Sequence, residues 1–402
     1  MTITCADCGE MQFIPPVPPG GAAECHRCDR ELLRHSRGGY GVTLACAALI
    51  LLLLPPAFLL PLMDSTIKQI VFQESRLVSS VPVIYSEVWF PFAFGFFFFA
   101  FLFPALRALF QLVVLGSLKL RFRLWQRGRM FRWSEELRMW SMTDVVVIAG
   151  AVAYLRAGIP AQVTVRAGAY FYFAVAVLAF IGDRALDRRK VWNEILPDID
   201  MLPEHRLPSC DVCEMAVDYR RAGDPCPRCG SRLDRNIAPR FAPAAGAVAA
   251  AIPLALPAYS AAIMVNDQIT GVLEHTVLGT VQLLADRGYW QFGVVVLFAG
   301  VVVPALEVVG LIWLLLRVRF PQTRGLVTRT RVYRILHRLV RWPMILPFIA
   351  AIAAPIVKYR GIDDIVAGPG ATPLFAIIAL LMLAVRFFEP RLMWMNAGEL
   401  RT

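Results

Sequence analysis

The sequence predicts an all-α polytopic membrane protein built from two repeated four-helix transmembrane modules, each preceded by a small four-cysteine domain. Three observations predict it. The 402 residues are 57% hydrophobic, with a mean hydropathy of +0.57, too apolar for a soluble chain of this length. Eight of the nine cysteines fall in two clusters, each just ahead of a block of apolar segments. The basic residues gather between apolar segments, at equivalent places in the two blocks.

The first cluster is Cys5, Cys8, Cys25 and Cys28; the second is Cys210, Cys213, Cys226 and Cys229. A C-x-x-C turn brings two thiolates to one side of a tight loop, and two turns supply the corners of a tetrahedron. That is the zinc-ribbon arrangement, and four sulfurs leave no open position for substrate, so the expected metal is structural zinc. Iron in a rubredoxin-like site and a redox disulfide pair are the alternatives. Gly230 closes the last knuckle in a residue suited to the turn, whereas the Pro15–Gly21 stretch lengthens the first ribbon. His26 is expected to be a bystander, and the lone Cys46 a small core hydrophobe. Thiolate ligands need a reducing compartment, which places both ribbons in the cytoplasm. Residues 1–40 lack an apolar core segment and do not read as a signal peptide.

A span needs about 20 mostly apolar residues. Eight candidates occur, at 41–63, 88–117, 140–157, 168–185, 243–264, 290–317, 342–357 and 371–388. The third and seventh are short, which suits tilted or internally packed helices. The expected domains are a zinc ribbon at 1–40, a membrane module at 41–190, a second ribbon at 191–240 and a second module at 241–402. Stretches 118–139 and 317–341 are rich in arginine, while 64–87 and 265–289 are poor in Lys and Arg. With a cytoplasmic N-terminus, eight spans return both basic stretches, both ribbons and the C-terminus to the cytoplasm. The net charge of +11 is thereby explained by topology and anionic lipid rather than by nucleic acid.

The halves align at offsets near 200–202. Pro56-Ala-Phe-Leu-Leu-Pro-Leu-Met63 matches Pro257-Ala-Tyr-Ser-Ala-Ala-Ile-Met264, and is expected to end the outward helix. Phe103-Pro-Ala-Leu-Arg107 matches Val303-Pro-Ala-Leu-Glu307. Trp140-Ser-Met142 matches Trp342-Pro-Met344, and Asp187-x-Arg189-x-x-Trp192 matches Glu389-x-Arg391-x-x-Trp394. Four spans per repeat keep both copies in one orientation, a parallel repeat.

This ordered set of parts resembles the paraquat-inducible protein A family over nearly the whole chain. The resemblance implies an integral inner-membrane protein of a Gram-negative envelope. It also implies a partner with MCE domains that forms a periplasmic tunnel, and lipid movement between membranes. The tunnel itself has to come from another polypeptide.

Ionisable residues inside spans are functional candidates because a charge in lipid is costly. Arg107, Ser141, Asp144 and Glu307 are the transport candidates. They either line a polar cavity that carries protons or form static pairs, with Arg107 and Glu307 matched across the repeat axis. The second half lacks the hydroxyl and carboxylate of Ser141 and Asp144, having Pro343 and Leu346 instead. Against the family pattern, this departure counts against a proton relay there. Arg156 and Lys358 are expected to snorkel, and Trp89 and Tyr289 to sit in interfacial belts. Residues Asn266, Asp267, Glu274, His275, Asp286 and Arg287 offer either a partner-docking loop or a solvated connector. No Gly-rich phosphate loop and no nucleophile–base arrangement is found, so no enzyme activity is expected. Lipid handling is the leading function. A structural anchor for the MCE partner and a metal or redox sensor are the alternatives.

Overall fold

The computed structural model describes residues 2–15, 17–18, 20–34, 39–67, 71–80, 90–122, 124–157, 162–197, 210, 212–215, 223–233, 240–268, 271–286, 288–320, 322–357 and 363–398. The chain opens with two short hairpins, β1 (Thr2–Thr4) with β2 (Met11–Phe13) and β3 (Ala22–Glu24) with β4 (Glu31–Arg34). Then α1 (Gly39–Leu59) runs 21 residues. At 1.5 Å per residue it is roughly 30 Å long, the thickness of a bilayer core.

The remaining helices of the first half are α2 (Phe90–Phe97), α3 (Phe103–Lys119), α4 (Arg127–Trp140), α5 (Thr143–Ala157), α6 (Ala167–Ala185) and α7 (Arg188–Ile195). Apart from the added helix Val277–Asp286, the second half follows the same order. It has α8 (Phe241–Ser260), α9 (Val277–Asp286), α10 (Trp290–Leu297), α11 (Val303–Arg319), α12 (Leu326–Leu339), α13 (Ile345–Val357), α14 (Ala371–Phe387) and α15 (Arg391–Asn396).

Among the described residues, six helices are long and apolar enough to cross a membrane. Of the other two expected spans, 371–388 is the 17-residue α14 and 342–357 contains the 13-residue α13. The short third helices, α5 and α13, pack against each other across the two halves. Phe96 of α2 also meets Phe348 of α13 edge to face at 5.5 Å, and Phe348 and Ile345 are fully buried. A short helix with apolar residues on all sides is stable when a protein neighbour covers it. Within each half the first and fourth helices pair, α1 with α6 and α8 with α14.

The all-α expectation needs a correction. The described chain is mostly helical, but two three-stranded antiparallel sheets sit at the helix ends away from the ribbons. One has the order β6 (Val71–Arg76), β5 (Pro61–Ile67), β7 (Gln162–Val165); the other has β10 (Asp363–Ala367), β8 (Met264–Gln268), β9 (Gly271–His275). These strands occupy stretches that read as connectors. They are too short and too polar to register in a search for 20-residue apolar runs. The Pro61-Leu-Met63 end of the repeat motif accordingly starts a strand; the helix has already ended at Leu59. The basic stretches are also ordered, as the amphipathic helices α4 and α12.

A π-turn interrupts the second helix of each half at the same place, Phe98–Leu102 and Phe298–Val302. Its cause is the proline that follows. Pro104 and Pro304 have no N–H, and their rings crowd the carbonyls four residues back, those of Ala100 and Gly300. Each freed carbonyl finds a tyrosine hydroxyl. Tyr172 donates to Ala100 O at 2.8 Å, and Tyr259 donates to Gly300 O at 2.7 Å. The two tyrosines come from non-equivalent helices, α6 and α8. Tyr172→Phe and Tyr259→Phe are expected to cost about 1–3 kcal/mol each, the penalty of an unpaired buried carbonyl. A lower thermal-unfolding midpoint for each variant, with secondary structure retained, is the result to look for.

Candidate metal centres and a polar cavity between helices

Each C-x-x-C turn is built by two backbone hydrogen bonds that repeat in all four knuckles. In the first, Gly9 N–H donates to Cys5 O at 2.8 Å and Cys5 N–H donates to Glu10 O at 2.8 Å. The residue after the second cysteine takes a left-handed conformation in every knuckle: Gly9 (φ 72), Asp29 (φ 57), Glu214 (φ 57) and Gly230 (φ 68). Glycine adopts it freely, whereas Asp29 and Glu214 adopt it at some cost.

The turns bring the sulfurs together. Cys5 Sγ lies 3.5 Å from Cys28 Sγ, and Cys8 Sγ lies 3.7 Å from Cys25 Sγ. In the second ribbon the Cys210–Cys229 and Cys213–Cys226 separations are 3.5 and 3.6 Å. All eight cysteines are buried and unbridged. A tetrahedron with metal–sulfur bonds of about 2.3 Å has edges of roughly 3.8 Å, whereas a disulfide needs about 2.05 Å. The donor set and spacing therefore fit a closed four-sulfur metal site. His26 takes no part: its ring and its backbone N–H both meet the Gln12 side chain. Cys46 is a buried residue of α1, as expected.

The ribbons touch each other through Arg30, whose guanidinium lies 2.5 Å from Asp7 and 3.0 Å from Glu214. Burial works against the Arg30 charge, but the Glu214 and Asp7 carboxylates outweigh it and raise its pKa above the ordinary value.

Between α1, α3 and α6 lies a small open-sided cavity, with Arg107, Gln111, Ser141, Thr143 and Asp183 as its polar lining. Arg107 is buried on α3 and donates to Asp183 on α6. Arg138 Nε lies 3.6 Å from the same carboxylate. Arg107 Nε and Gln111 Nε2, one helical turn apart, are buried without a hydrogen-bond partner among the described residues. Both residues line the cavity, and buried donors of this kind are ordinarily met by an acceptor such as water.

The repeat supplies an internal comparison. At the matching positions the second half has Glu307, Leu311, Pro343, Ile345 and Val385. All five are buried. The same scaffold thus packs with an almost wholly apolar lining.

The expected Arg107–Glu307 pair is not formed. Arg107 pairs within its own half with Asp183, and neither Glu307 oxygen has a partner among the described residues. Asp144 also differs from expectation. It stands in the first turn of α5 with 55% of its side chain exposed, and pairs at 3.3 Å with Arg341 of the second half. Ser141 is buried and lines the cavity.

The Arg156 side chain, Lys358, Trp89 and Arg287 lie outside the described residues, as do the side chains of Asn266, Asp267, Glu274 and His275. The backbones of those four are in β8 and β9. Asp286 is exposed and Tyr289 half-buried. Sequence reasoning missed Asp183 and Gln111. Gln111 was findable as the i+4 neighbour of Arg107 on one helix face. Asp183 was findable as an acid inside the expected 168–185 span.

Two metal ions per chain are expected by elemental mass spectrometry. Cys5→Ser should leave one and Cys46→Ser should leave both. Asp183→Asn is expected to destabilise the fold by about 2 kcal/mol, because Arg107 keeps a buried charge without its partner. The double change Arg107→Met/Asp183→Leu should cost less than that single change, read from thermal unfolding in one detergent.

The comparisons with known proteins agree with these parts. The family described as Paraquat-inducible protein A matches residues 41–196 and again 242–397. The chain is 25% identical to the intermembrane transport protein PqiA of Escherichia coli K12, over 99% of this chain and 96% of the relative. It is 26% identical to the lipophilic envelope-spanning tunnel protein A of the same organism, over 65% and 61%. A probable intermembrane transport protein of Haemophilus influenzae is 23% identical over 98% and 95%. No solved structure matches. With six apolar helices of spanning length and a family match to both halves, this membrane protein belongs to the paraquat-inducible protein A family.

Proposed function

We propose that the chain is the inner-membrane component of an MCE-type lipid transport system, passing lipids between the inner membrane and a periplasmic MCE tunnel protein. The observation that carries this reading is the polar cavity of the first half, set beside its apolar counterpart in the second. If those side chains only held helices together, the second half would need them too. The names of the relatives, intermembrane transport and envelope-spanning tunnel, support the same direction.

In this reading the ribbons each hold structural zinc and face the cytoplasm with both termini. The arginines of α4 and α12 then lie on the cytoplasmic side, as charge bias favours. The domains are those expected above, ribbons at 1–40 and 191–240 and modules at 41–190 and 241–402. The sheets point to the periplasm, where a tunnel partner docks. The physical task is to pass an amphipathic molecule from bilayer to tunnel without exposing acyl chains to water. Arg107 and Gln111 offer hydrogen bonds to a headgroup, while Ser141 and Thr143 add hydroxyls. No step requires bond-breaking chemistry, so the role is transport rather than catalysis.

A second reading, a structural anchor for the partner, draws on the Arg107–Asp183 pair, which is satisfied without a ligand. Purification from membranes of the native host, followed by mass spectrometry, should recover an MCE-domain protein in stoichiometric amount. Arg107→Ala, Ser141→Ala and Glu307→Gln should then lower lipid flux in reconstituted vesicles while the partner stays bound. Unchanged flux in all three would favour the anchor, and repeated absence of the partner would remove both readings.

A further inference from the structure

Each ribbon docks on the half of the chain that it does not precede. The N-terminal ribbon leads into α1, yet its knuckles are held by the second half. Arg334 of α12 donates to the backbone carbonyl of Cys28 and, at 2.9 Å, to that of Asp29. Its Nε lies 3.4 Å from the Asp7 carboxylate. Arg331 pairs with Asp29 at 2.6 Å. Arg27, between the cysteines of the second knuckle, lies 4.7 Å over the Trp394 ring of α15.

The second ribbon leads into α8, yet it rests on the first half. Its four cysteines and Met215 form one buried cluster with Phe131 of α4 and with Val191 and Trp192 of α7. The Arg228 carbonyl presses so closely on Gly128 of α4 that a methyl group there would overlap it, and Gly230 lies against the Arg129 side chain. Glu214 stands 4.0 Å from Arg189 of α7.

The docking atoms belong to the knuckles themselves. Asp7, Arg27 and Arg228 lie between paired cysteines, Cys28 is itself a sulfur donor, and Asp29, Glu214 and Gly230 follow directly. Their positions are therefore set by the gathering of the four sulfurs, and two of them, Asp29 and Glu214, hold left-handed backbones that a slack loop would give up. The repeated motif at the end of each half has a matching role. Asp187-x-Arg189-x-x-Trp192 receives the second ribbon, and Glu389-x-Arg391-x-x-Trp394 receives the first.

We propose that the ribbons are crossed braces: metal binding in each fixes the basic helix of the opposite half, α12 by the first ribbon and α4 by the second, and so locks the two halves together at their ribbon ends. This goes beyond the transport reading and holds whatever the chain transports. A four-sulfur site needs no open coordination position for such a role. Loss of metal from one ribbon would release one half's basic helix and leave the other braced.

Hydrogen exchange read by mass spectrometry on the full chain in lipid nanodiscs tests this. In Cys5→Ser/Cys8→Ser, peptides of α12 and α15 should exchange about tenfold faster or more, as expected on losing charge-assisted hydrogen bonds. Peptides of α4 and α7 should be unchanged. In Cys210→Ser/Cys213→Ser the pattern should reverse. Two further variants keep every cysteine: Arg334→Ala should expose the first ribbon, and Gly128→Ala the second, each at unchanged metal content. Faster exchange in the half that follows the altered ribbon, equal change in both halves, or no change outside the ribbon would each overturn the proposal. If a cysteine variant fails to fold, the Arg334→Ala and Gly128→Ala pair decides by the same readout.

Discussion

Every polar group placed among these apolar helices must find its partner within the protein, and much of the architecture follows from that constraint. Pro104 and Pro304 bend the second helix of each half and release a carbonyl apiece. Tyr172 and Tyr259 answer them from different helices. The kink and the hydroxyl are thus one unit, and the unit helps fix how α6 lies against α2 and α8 against α10. Arg107 obeys the same rule through Asp183. Glu307 is one of several exceptions among the described residues, with Arg107 Nε and Gln111 Nε2: it is 1% exposed and its oxygens are unpaired.

Duplication kept the scaffold and let its interior diverge. Helix order, π-turns, proline positions and the closing Trp motif recur in both halves. The lining does not recur: the positions of Gln111, Ser141, Thr143 and Asp183 are taken by Leu311, Pro343, Ile345 and Val385. Since both linings pack, the polar one is not demanded by the fold. The chemical asymmetry between the two halves lies in those few side chains.

The halves also interlock. In the helical layer the short α5 and α13 cover one another, and Asp144 reaches Arg341 across the seam. Above them the N-terminal ribbon crosses over to the second half, while the second ribbon, which follows α7 and leads into α8, rests on the first. A chain wired this way resists sliding of one half past the other, because each half is held by a domain tethered to its neighbour. Arg30 and Glu214 close the arrangement by joining ribbon to ribbon.

The sequence by itself determined the parts that depend on local pattern. The C-x-x-C spacing fixed the eight metal-ligand candidates, since the turn is closed by near-neighbour hydrogen bonds. Apolar run length marked the membrane helices, and the repeat offset revealed the duplication. The strands at 61–67 and 264–268 were invisible because their pairing is non-local: β5 is completed by β7, about 100 residues later. Asp144 read as a buried charge but is half exposed, because burial depends on where α5 ends against its neighbours. Arg107 read as a match for Glu307 because the alignment pairs them, whereas the fold sets α3 beside α6 and gives it Asp183. Only the tertiary structure decided which ribbon serves which half, since docking is chosen by the surfaces that meet in space and chain order does not constrain it.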